Sequence, residues 1–449
     1  MNSRVAPILL RALTACSLFG LVALGPDRAD AQALLLVDAG SGRVLHAENA
    51  GQPWYPASVT KLLTTYVTLN AVRAGRLKLD TLVEVSARAL SQQPSKMGFP
   101  VGTRMTVDNA LKMLMVKSAN DIAVVLAEGV AGSVEAFSEE MNQTSARLGM
   151  TQSRWVNPNG LPADGQVSSA RDMAILARAL LRDFPQHSIY WRTPAIRFGK
   201  RVFRNYNRLI DRYPGADGMK TGFICASGFN LVASATRNGR QLIAVVLGAP
   251  SGRERNEIAA RLLERGFGGG MLAWLMPSLG TLESVQTVAA DPPNLREQVC
   301  GGKNRGKART DHASEEDQNP PAMGLAAFAS ILPGAGQPDT GPILGPPIEV
   351  MPPIQVTVIA PQGAPQDPDA LLRGPRQPRS AKGKGKGKGK SAVARPATKG
   401  KPAGKKPAAK PAAKSATAKP GAKSAPAKPA ARPAGKPAPK AKSAAGQKK

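Results

Sequence analysis

The sequence predicts an α+β fold: an antiparallel sheet flanked by helices, with a helical subdomain, followed by a disordered basic tail. Three observations carry that expectation. Strand-like runs sit at both ends of the region 32–275. Helical periodicity, with apolar residues three or four positions apart, fills the stretch between them. Beyond about residue 380 the chain has no aromatic or acidic residues and becomes rich in Lys, Ala and Pro, a composition with too little to bury. Terminal strands with helices between them imply one sheet covered by helices.

Each element has a local signature. The run Leu34-Leu35-Leu36-Val37 ends in Asp38-Ala39-Gly40-Ser41-Gly42, and Arg43-Val44-Leu45-His46 returns as a hairpin. From Ser58 to Ala74, Val59, Leu62, Leu63, Tyr66, Val67 and Leu69 repeat at helical period, and Gly75 closes the segment. Helical stretches Val107 to Val116 and Ile122 to Glu128 bracket a polar break at Ser118. Ser133 caps a helix carrying Val134, Phe137 and Met141 and ended by Gly149; Ser169 opens another with Met173, Leu176 and Leu180. Phe229 to Thr236 and Gln241 to Leu247 read as strands joined by Asn238-Gly239, a tight hairpin signal. Ser251 opens the last helix, with Ile258, Leu262 and Leu263. Residues 276–380 are Pro/Gly-rich and read as a mostly unstructured linker. Within it, Ile348–Val350 and Val356–Ile359 are lone strands unable to form a core by themselves.

The formal charge of +30 over 449 residues suggests a polyanion binder, but the charge is uneven. Residues 381–449 hold 19 Lys and 2 Arg and no acid, leaving only +9 for the rest. The N-terminus reads as a signal peptide, residues 1–31. Arg4 and Arg11 precede the apolar stretch Ala12 to Gly25, and Ala29-Asp30-Ala31 fits a cleavage site. Leu13-Thr14-Ala15-Cys16 resembles a lipoprotein box, but Arg11 interrupts the apolar stretch before it. Export to a periplasmic or envelope location makes nucleic acid an unlikely tail partner. It favours anionic envelope polymers or lipid head groups, with a partnerless solvated tail as the alternative. In an oxidising compartment Cys225 and Cys300 either pair or remain two thiols; the spacing does not decide. No Cys/His cluster has zinc spacing, and His46, His187 and His312 are scattered, so no metal and no cofactor is expected.

Three short blocks carry chemistry. Ser58-Val59-Thr60-Lys61 places a hydroxyl at a helix start and an amine one turn later on the same face, where a desolvated lysine can deprotonate the serine. Ser118-Ala119-Asn120 puts a second hydroxyl and an amide in an interhelical break, suited to proton relay and to gripping a peptide group. Lys220-Thr221-Gly222 brings a cation, a hydroxyl and a residue permitting close backbone approach to a strand edge, suited to a terminal carboxylate. Each block alone is more often a cap, a turn or a strand start. The three in this order and in matching contexts describe an active-site serine acyl-transfer enzyme that works without histidine.

With their flanks, the blocks resemble the signatures of the penicillin-binding D-alanyl-D-alanine carboxypeptidases. The resemblance also covers Asn157-Pro158-Asn159-Gly160-Leu161-Pro162 and Ser169-Ala170-Arg171-Asp172-Met173-Ala174, and spans roughly residues 33–270. It implies a serine β-lactamase/transpeptidase-like fold, removal of the terminal D-Ala from peptidoglycan pentapeptides, and inhibition by β-lactams. By position it implies Ser58 as nucleophile, Lys61 as its base, Ser118 as proton relay and Asn120 as a substrate holder. Lys220 and Thr221, beside Gly222, would engage the carboxylate, and the backbone N–H groups of Ser58 and Phe223 would form the oxyanion hole. Many family members have His where this chain has Phe223, a change that leaves a backbone role intact. The downstream β-rich domain and amphipathic anchor helix often found in the family are not recognisable here.

Two other classes share features. A serine β-lactamase has the same blocks but needs a carboxylate-activated water, and residues 141–220 contain no Glu; the Asn157–Gly165 loop offers only Asp164. A non-catalytic envelope binder would act through the tail, but nothing in the three blocks is degraded.

Overall fold

The computed structural model describes residues 32–268, 279–302 and 343–372. The expected signal peptide and basic tail lie outside the described residues. The strands are β1 (Ala33–Asp38), β2 (Val44–Glu48), β3 (Leu82–Glu84), β4 (Arg104–Thr106), β5 (Ala195–Phe198), β6 (Arg201–Arg204), β7 (Ala216–Ile224), β8 (Gly228–Arg237), β9 (Arg240–Ala249) and β10 (Ile354–Gln355). The main helices are α1 (Lys61–Arg73), α2 (Val107–Val116), α3 (Asn120–Ala131), α4 (Val134–Leu148), α5 (Ala170–Asp183) and α6 (Gly252–Phe267).

The N-terminal hairpin and the late strands meet in one antiparallel sheet of order β2-β1-β9-β8-β7. Asn238 and Gly239 turn β8 into β9 with φ of 50° and 75°, the left-handed pair that a two-residue hairpin requires. Helices α5 and α6 pack on this sheet. At Gly266, in α6, a Cβ would lie 2.5 Å from a Leu242 methyl, so the helix meets the sheet as closely as glycine allows. Ser133, Ser169 and Ser251 cap α4, α5 and α6, each accepting a backbone N–H three residues on at 3.1 Å.

Helix α1 lies at the centre and is buried on almost every side, which explains its weak amphipathicity. Its core-facing threonines are tolerated because each hydroxyl donates to a carbonyl: Thr64 to Pro158 at 2.6 Å, Thr65 to Lys61 at 2.9 Å and Thr68 to Thr64 at 2.8 Å. Helices α2, α3 and α4 surround it. The expected helix over Ser58–Ala74 begins instead as a 3₁₀ turn, Ala57–Thr60, before α1. The helix expected at Ile122 starts earlier, at Asn120.

The expectation of a mostly unstructured linker at 276–380 fails for two stretches. Residues 279–302 run along the main domain. Leu282, Leu295 and Val299 are buried, and Val288 donates to the Gly51 carbonyl at 3.1 Å. Residues 343–372 form a strap in which β10 pairs in parallel with β5, Val356 is buried, and Ile359 bridges Arg104 beside β4. The physical reason is that short apolar runs with no core of their own can bury themselves against a partner domain. The Pro content set backbone shape, not solvation. Cys225 and Cys300 pair, with Cα atoms 5.6 Å apart and a sequence separation of 75, tying residues 279–302 to the end of β7.

Replacing Cys300 by Ser should therefore lower stability by about 2–4 kcal/mol, the usual contribution of a bridge closing a long loop. A urea titration of the oxidised wild type and C300S reads this out; an unchanged midpoint would show that the segment holds without its covalent tie.

Candidate active site

The first two blocks meet at the Lys61 amine, and the third passes against the nucleophile turn. Lys61 opens α1 and has no solvent exposure. Its Nζ lies 2.9 Å from Ser58 Oγ, 2.7 Å from Asn120 Oδ1 and 2.6 Å from the Asn159 carbonyl oxygen. Burial pushes the Lys61 pKa well below the ordinary lysine value. The nearby positive charge of Lys220 pushes the same way, and the Asp121 carboxylate opposes them. A neutral amine has two hydrogens and one lone pair. Asn120 Oδ1 and the Asn159 carbonyl can only accept, so they take the two hydrogens and leave the lone pair for the Ser58 hydroxyl. The amide orientation of Asn120 is fixed independently, because its Nδ2 donates to the Gln93 carbonyl at 2.9 Å.

Ser58 follows Ala57, which holds φ of +48° although it has a side chain. Ser118 itself sits at φ of +58°, buried, two residues before Asn120. Such left-handed positions cost roughly 1–3 kcal/mol and persist where the surroundings over-determine them. Around Ala57 they do. A Cβ on Gly160 would fall 1.9 Å from the Ala57 carbonyl oxygen, and Asn230 Nδ2 donates to the carbonyls of Tyr55 and Pro56 at 3.0 and 3.1 Å.

The third block lies on β7, the outer strand of the main sheet. Lys220 and Thr221 are both buried, and Lys220 Nζ donates to the Thr221 carbonyl at 3.1 Å. At Gly222 a Cβ would stand 2.8 Å from Ser58 N and 3.0 Å from Val59 N, so the strand passes against the nucleophile turn at a distance only glycine permits. Phe223 follows, its ring tilted on Phe229 with centroids 4.2 Å apart. The structure thus gathers Ser58, Lys61, Asn120 and Gly222 directly, and sets Ser118, Lys220, Thr221 and Phe223 on the adjoining loop and strand.

Several supporting residues escaped the sequence reading. The Asn159 carbonyl was hidden in a loop whose role depends on backbone geometry. Asp121, fully buried, accepts from the N–H groups of Met97, Gly98 and Ile122 at 3.1, 2.8 and 2.9 Å. It thereby fixes the 95–98 loop, and Ser95 O in turn accepts from Asn120 N at 2.7 Å. Burial raises the Asp121 pKa against those three donors. Asn230, three residues into β8, looked like an ordinary strand residue; its clamp exists only once β8 lies beside the nucleophile turn. Among the described residues no group of His, Cys, Asp and Glu could hold a metal ion.

A sheet edge facing a serine–lysine pair at the start of a buried helix defines the active-site serine acyl-transfer class. The model of one family, described as D-alanyl-D-alanine carboxypeptidase, matches residues 22–251, and the chain belongs to that family. It is 40% identical over 245 residues to the D-alanyl-D-alanine carboxypeptidase DacC of Escherichia coli K12, covering 53% of this chain and 61% of that protein. It is 37% identical over 247 residues to DacA of Haemophilus influenzae, covering 54% and 63%. Among solved structures, the D-alanyl-D-alanine carboxypeptidase DacD of Francisella tularensis superposes with a TM-score of 0.52 at 30% identity, over 53% of this chain and 70% of that one. The chain spans about three fifths of the length of those two curated relatives.

The depressed Lys61 pKa gives a pH prediction. If Lys61 is the base for Ser58, only its neutral amine can take the proton, and acylation by a labelled penicillin should rise as pH increases through the depressed value and level off well below 10.5. A rate that climbs steadily to the ordinary lysine range would contradict the assigned base.

Proposed function

We propose that this chain is a penicillin-sensitive serine D-alanyl-D-alanine carboxypeptidase that trims peptidoglycan pentapeptides in cell-wall synthesis and remodelling. The observation that carries the reading is the Lys61 amine, with two fixed acceptors and its lone pair toward Ser58. The substrate's terminal carboxylate pairs with Lys220 and Thr221. Ser58 Oγ attacks the carbonyl of the penultimate D-Ala while Lys61 takes its proton. The N–H groups of Ser58 and Phe223 receive the developing oxyanion. Ser118 passes the proton from Lys61 to the departing amine, the C–N bond breaks and D-Ala leaves. Asn120 holds the peptide of the acyl group. Water then hydrolyses the ester, with Lys61 again accepting a proton and Ser58 regaining its own.

A β-lactam enters the same acylation step but leaves a bulky ester over the site. The 157–165 loop contains a single carboxylate, the exposed Asp164, and no Glu, which supports penicillin as an inhibitor rather than a substrate. Labelled penicillin should modify wild type once, persist for many times the acylation half-life, and leave Ser58→Ala unmodified; released D-Ala from a synthetic pentapeptide should vanish in the same variant. Rapid steady-state penicillin hydrolysis would instead mark a β-lactamase.

The export reading places the enzyme in the periplasm or at the envelope. No helix among the described residues is long and apolar enough to cross a membrane. The 381–449 tail, with 19 Lys and 2 Arg, then tethers the enzyme to anionic polymers or lipid head groups. A protein ending at residue 380 should keep its D-Ala release rate but lose salt-sensitive binding to anionic vesicles; undiminished binding would remove the tether from the account.

A further inference from the structure

On the three-stranded sheet β10-β5-β6 lies a cleft of about 190 Å³, and no residue of the three blocks lines it. Ala195 and Val202 form its floor, set on one face with Arg204 by the β5–β6 register. The strap supplies a second wall, from Val350 to Pro353. Ile348 N holds the strap there by donating to the Asp211 carbonyl at 2.9 Å. Asn207 and Asp211 line the cleft from the loop after β6. Tyr206, beside Asn207, instead engages Lys117, whose Nζ donates to its hydroxyl at 3.1 Å next to Ser118. The strap wall lies beyond the 22–251 stretch that the family model matches, so the cleft is partly this chain's own addition.

Two lining residues each carry a buried polar atom without a hydrogen-bond partner among the described residues: Asn207 Nδ2 and Asp211 Oδ1. Asn207 is only 1% exposed. Its Oδ1 accepts from Leu209 N at 3.2 Å, so the amide cannot turn over to hide its donor. Asp211 is also half engaged, with Oδ2 paired to Arg208 Nη2 at 3.0 Å. Buried polar atoms in folded proteins are nearly always met, so a donor and an acceptor left over in one cleft point to a ligand that supplies both complements.

The chemistry of that ligand follows by elimination. A carboxylate or phosphate would suit Asn207 but meet like charge at Asp211. An ammonium would suit Asp211 but meet a donor at Asn207 and the guanidinium of Arg204. A secondary amide fits both, its carbonyl accepting from Asn207 Nδ2 and its N–H donating to Asp211 Oδ1. The apolar strap wall of Val350, Met351 and two prolines suits a small methyl at the end of that amide. A peptide group continues as chain on both sides; the acetamido group of an amino sugar ends in such a methyl. The choice of sugar rests on the proposed carboxypeptidase reading, since the cell-wall polymer that carries the stem peptides is built of acetamido sugars.

We propose that the cleft between the β5–β6 hairpin and the strap is a binding site for the acetamido group of an N-acetylated amino sugar. Asn207 takes the acetamido carbonyl, Asp211 its N–H, and the strap its methyl. Arg204, exposed on the same sheet face, donates to the ring hydroxyls.

Ligand-observed NMR titration of the full-length protein with three uncharged probes tests this. One is a β-1,4-linked trimer of N-acetylglucosamine. The second is cellotriose, which has hydroxyls in place of the acetamido groups. The third is N-acetylalanine methylamide, a peptide amide without a sugar. The acetamido trimer should bind, and each control should bind at least about tenfold more weakly. D211N should weaken the trimer about tenfold or more, the loss of a hydrogen bond to a charged group. V202F, on the outer strand, fills the cleft without touching either polar atom and should do the same while keeping the wild-type urea midpoint. Ser58→Ala and penicillin-acylated wild type should bind the trimer undiminished. No binding of the trimer would overturn the site and leave the two polar atoms to water. Equal binding of cellotriose or of the peptide amide would overturn the acetamido assignment. Binding that survives both variants, or that penicillin displaces, would place the sugar elsewhere. Binding with the expected preferences but no D-Ala release from a synthetic pentapeptide would leave the site standing and overturn the carboxypeptidase reading instead.

Discussion

The buried amine of Lys61 is the constraint around which the structure is organised. A lysine with no exposure must lose its charge or satisfy it fully. Its three neighbours permit both. When protonated it can donate to Ser58, Asn120 and Asn159 at once. When neutral it keeps the latter two and accepts from Ser58. A proton can therefore move between hydroxyl and amine with no change in heavy-atom positions, which is what preorganisation means for an acid–base pair. The three partners come from three distant segments, so the fold must bring the start of α1, the start of α3 and the 157–160 loop to one point.

The sheet edge imposes the second constraint. Lys220 and Gly222 must pass the nucleophile turn closely enough for one peptide to reach both, and Gly222 removes the side chain that would block this. The same closeness recurs at Gly160, and the strained Ala57 is caught between that loop and the Asn230 clamp from β8. The strain at Ala57 is thus supported from two sides by elements that would exist in any case as loop and sheet.

Much of this was legible in the sequence because the governing signals are local. Asn238-Gly239 specifies its turn through backbone preference alone, and Ser133, Ser169 and Ser251 cap helices whose next turns are visible in the same stretch. Ser58 and Lys61 share a face by helical geometry, so their contact follows from spacing. What was not legible depends on distant partners. Asn230 and the Asn159 carbonyl gain their roles only from the assembled fold. The disulfide could not be decided because Cys300 was read as part of an unstructured linker. That reading judged residues 279–302 and 343–372 by whether they could form a core, when their apolar residues needed only a surface to join.

The two lysines of the site also explain one another. Lys220 is buried, and its charge is one cause of the depressed Lys61 pKa. Two ammonium groups close together in a poorly solvated site disfavour each other, which adds to the burial that already disfavours the charged form of Lys61. In the unliganded protein, burial reinforced by the Lys220 charge holds the Lys61 pKa well below the ordinary lysine value. A substrate carboxylate bound at Lys220 would cancel much of that field. The proton affinity of Lys61 would then rise at the moment the Ser58 hydroxyl faces the scissile carbonyl, favouring proton transfer when, and not before, substrate is in place. On the proposed mechanism, the cation that takes the substrate carboxylate would also tune the base. This coupling needs no moving part, only the distance that the β7 edge and the start of α1 enforce.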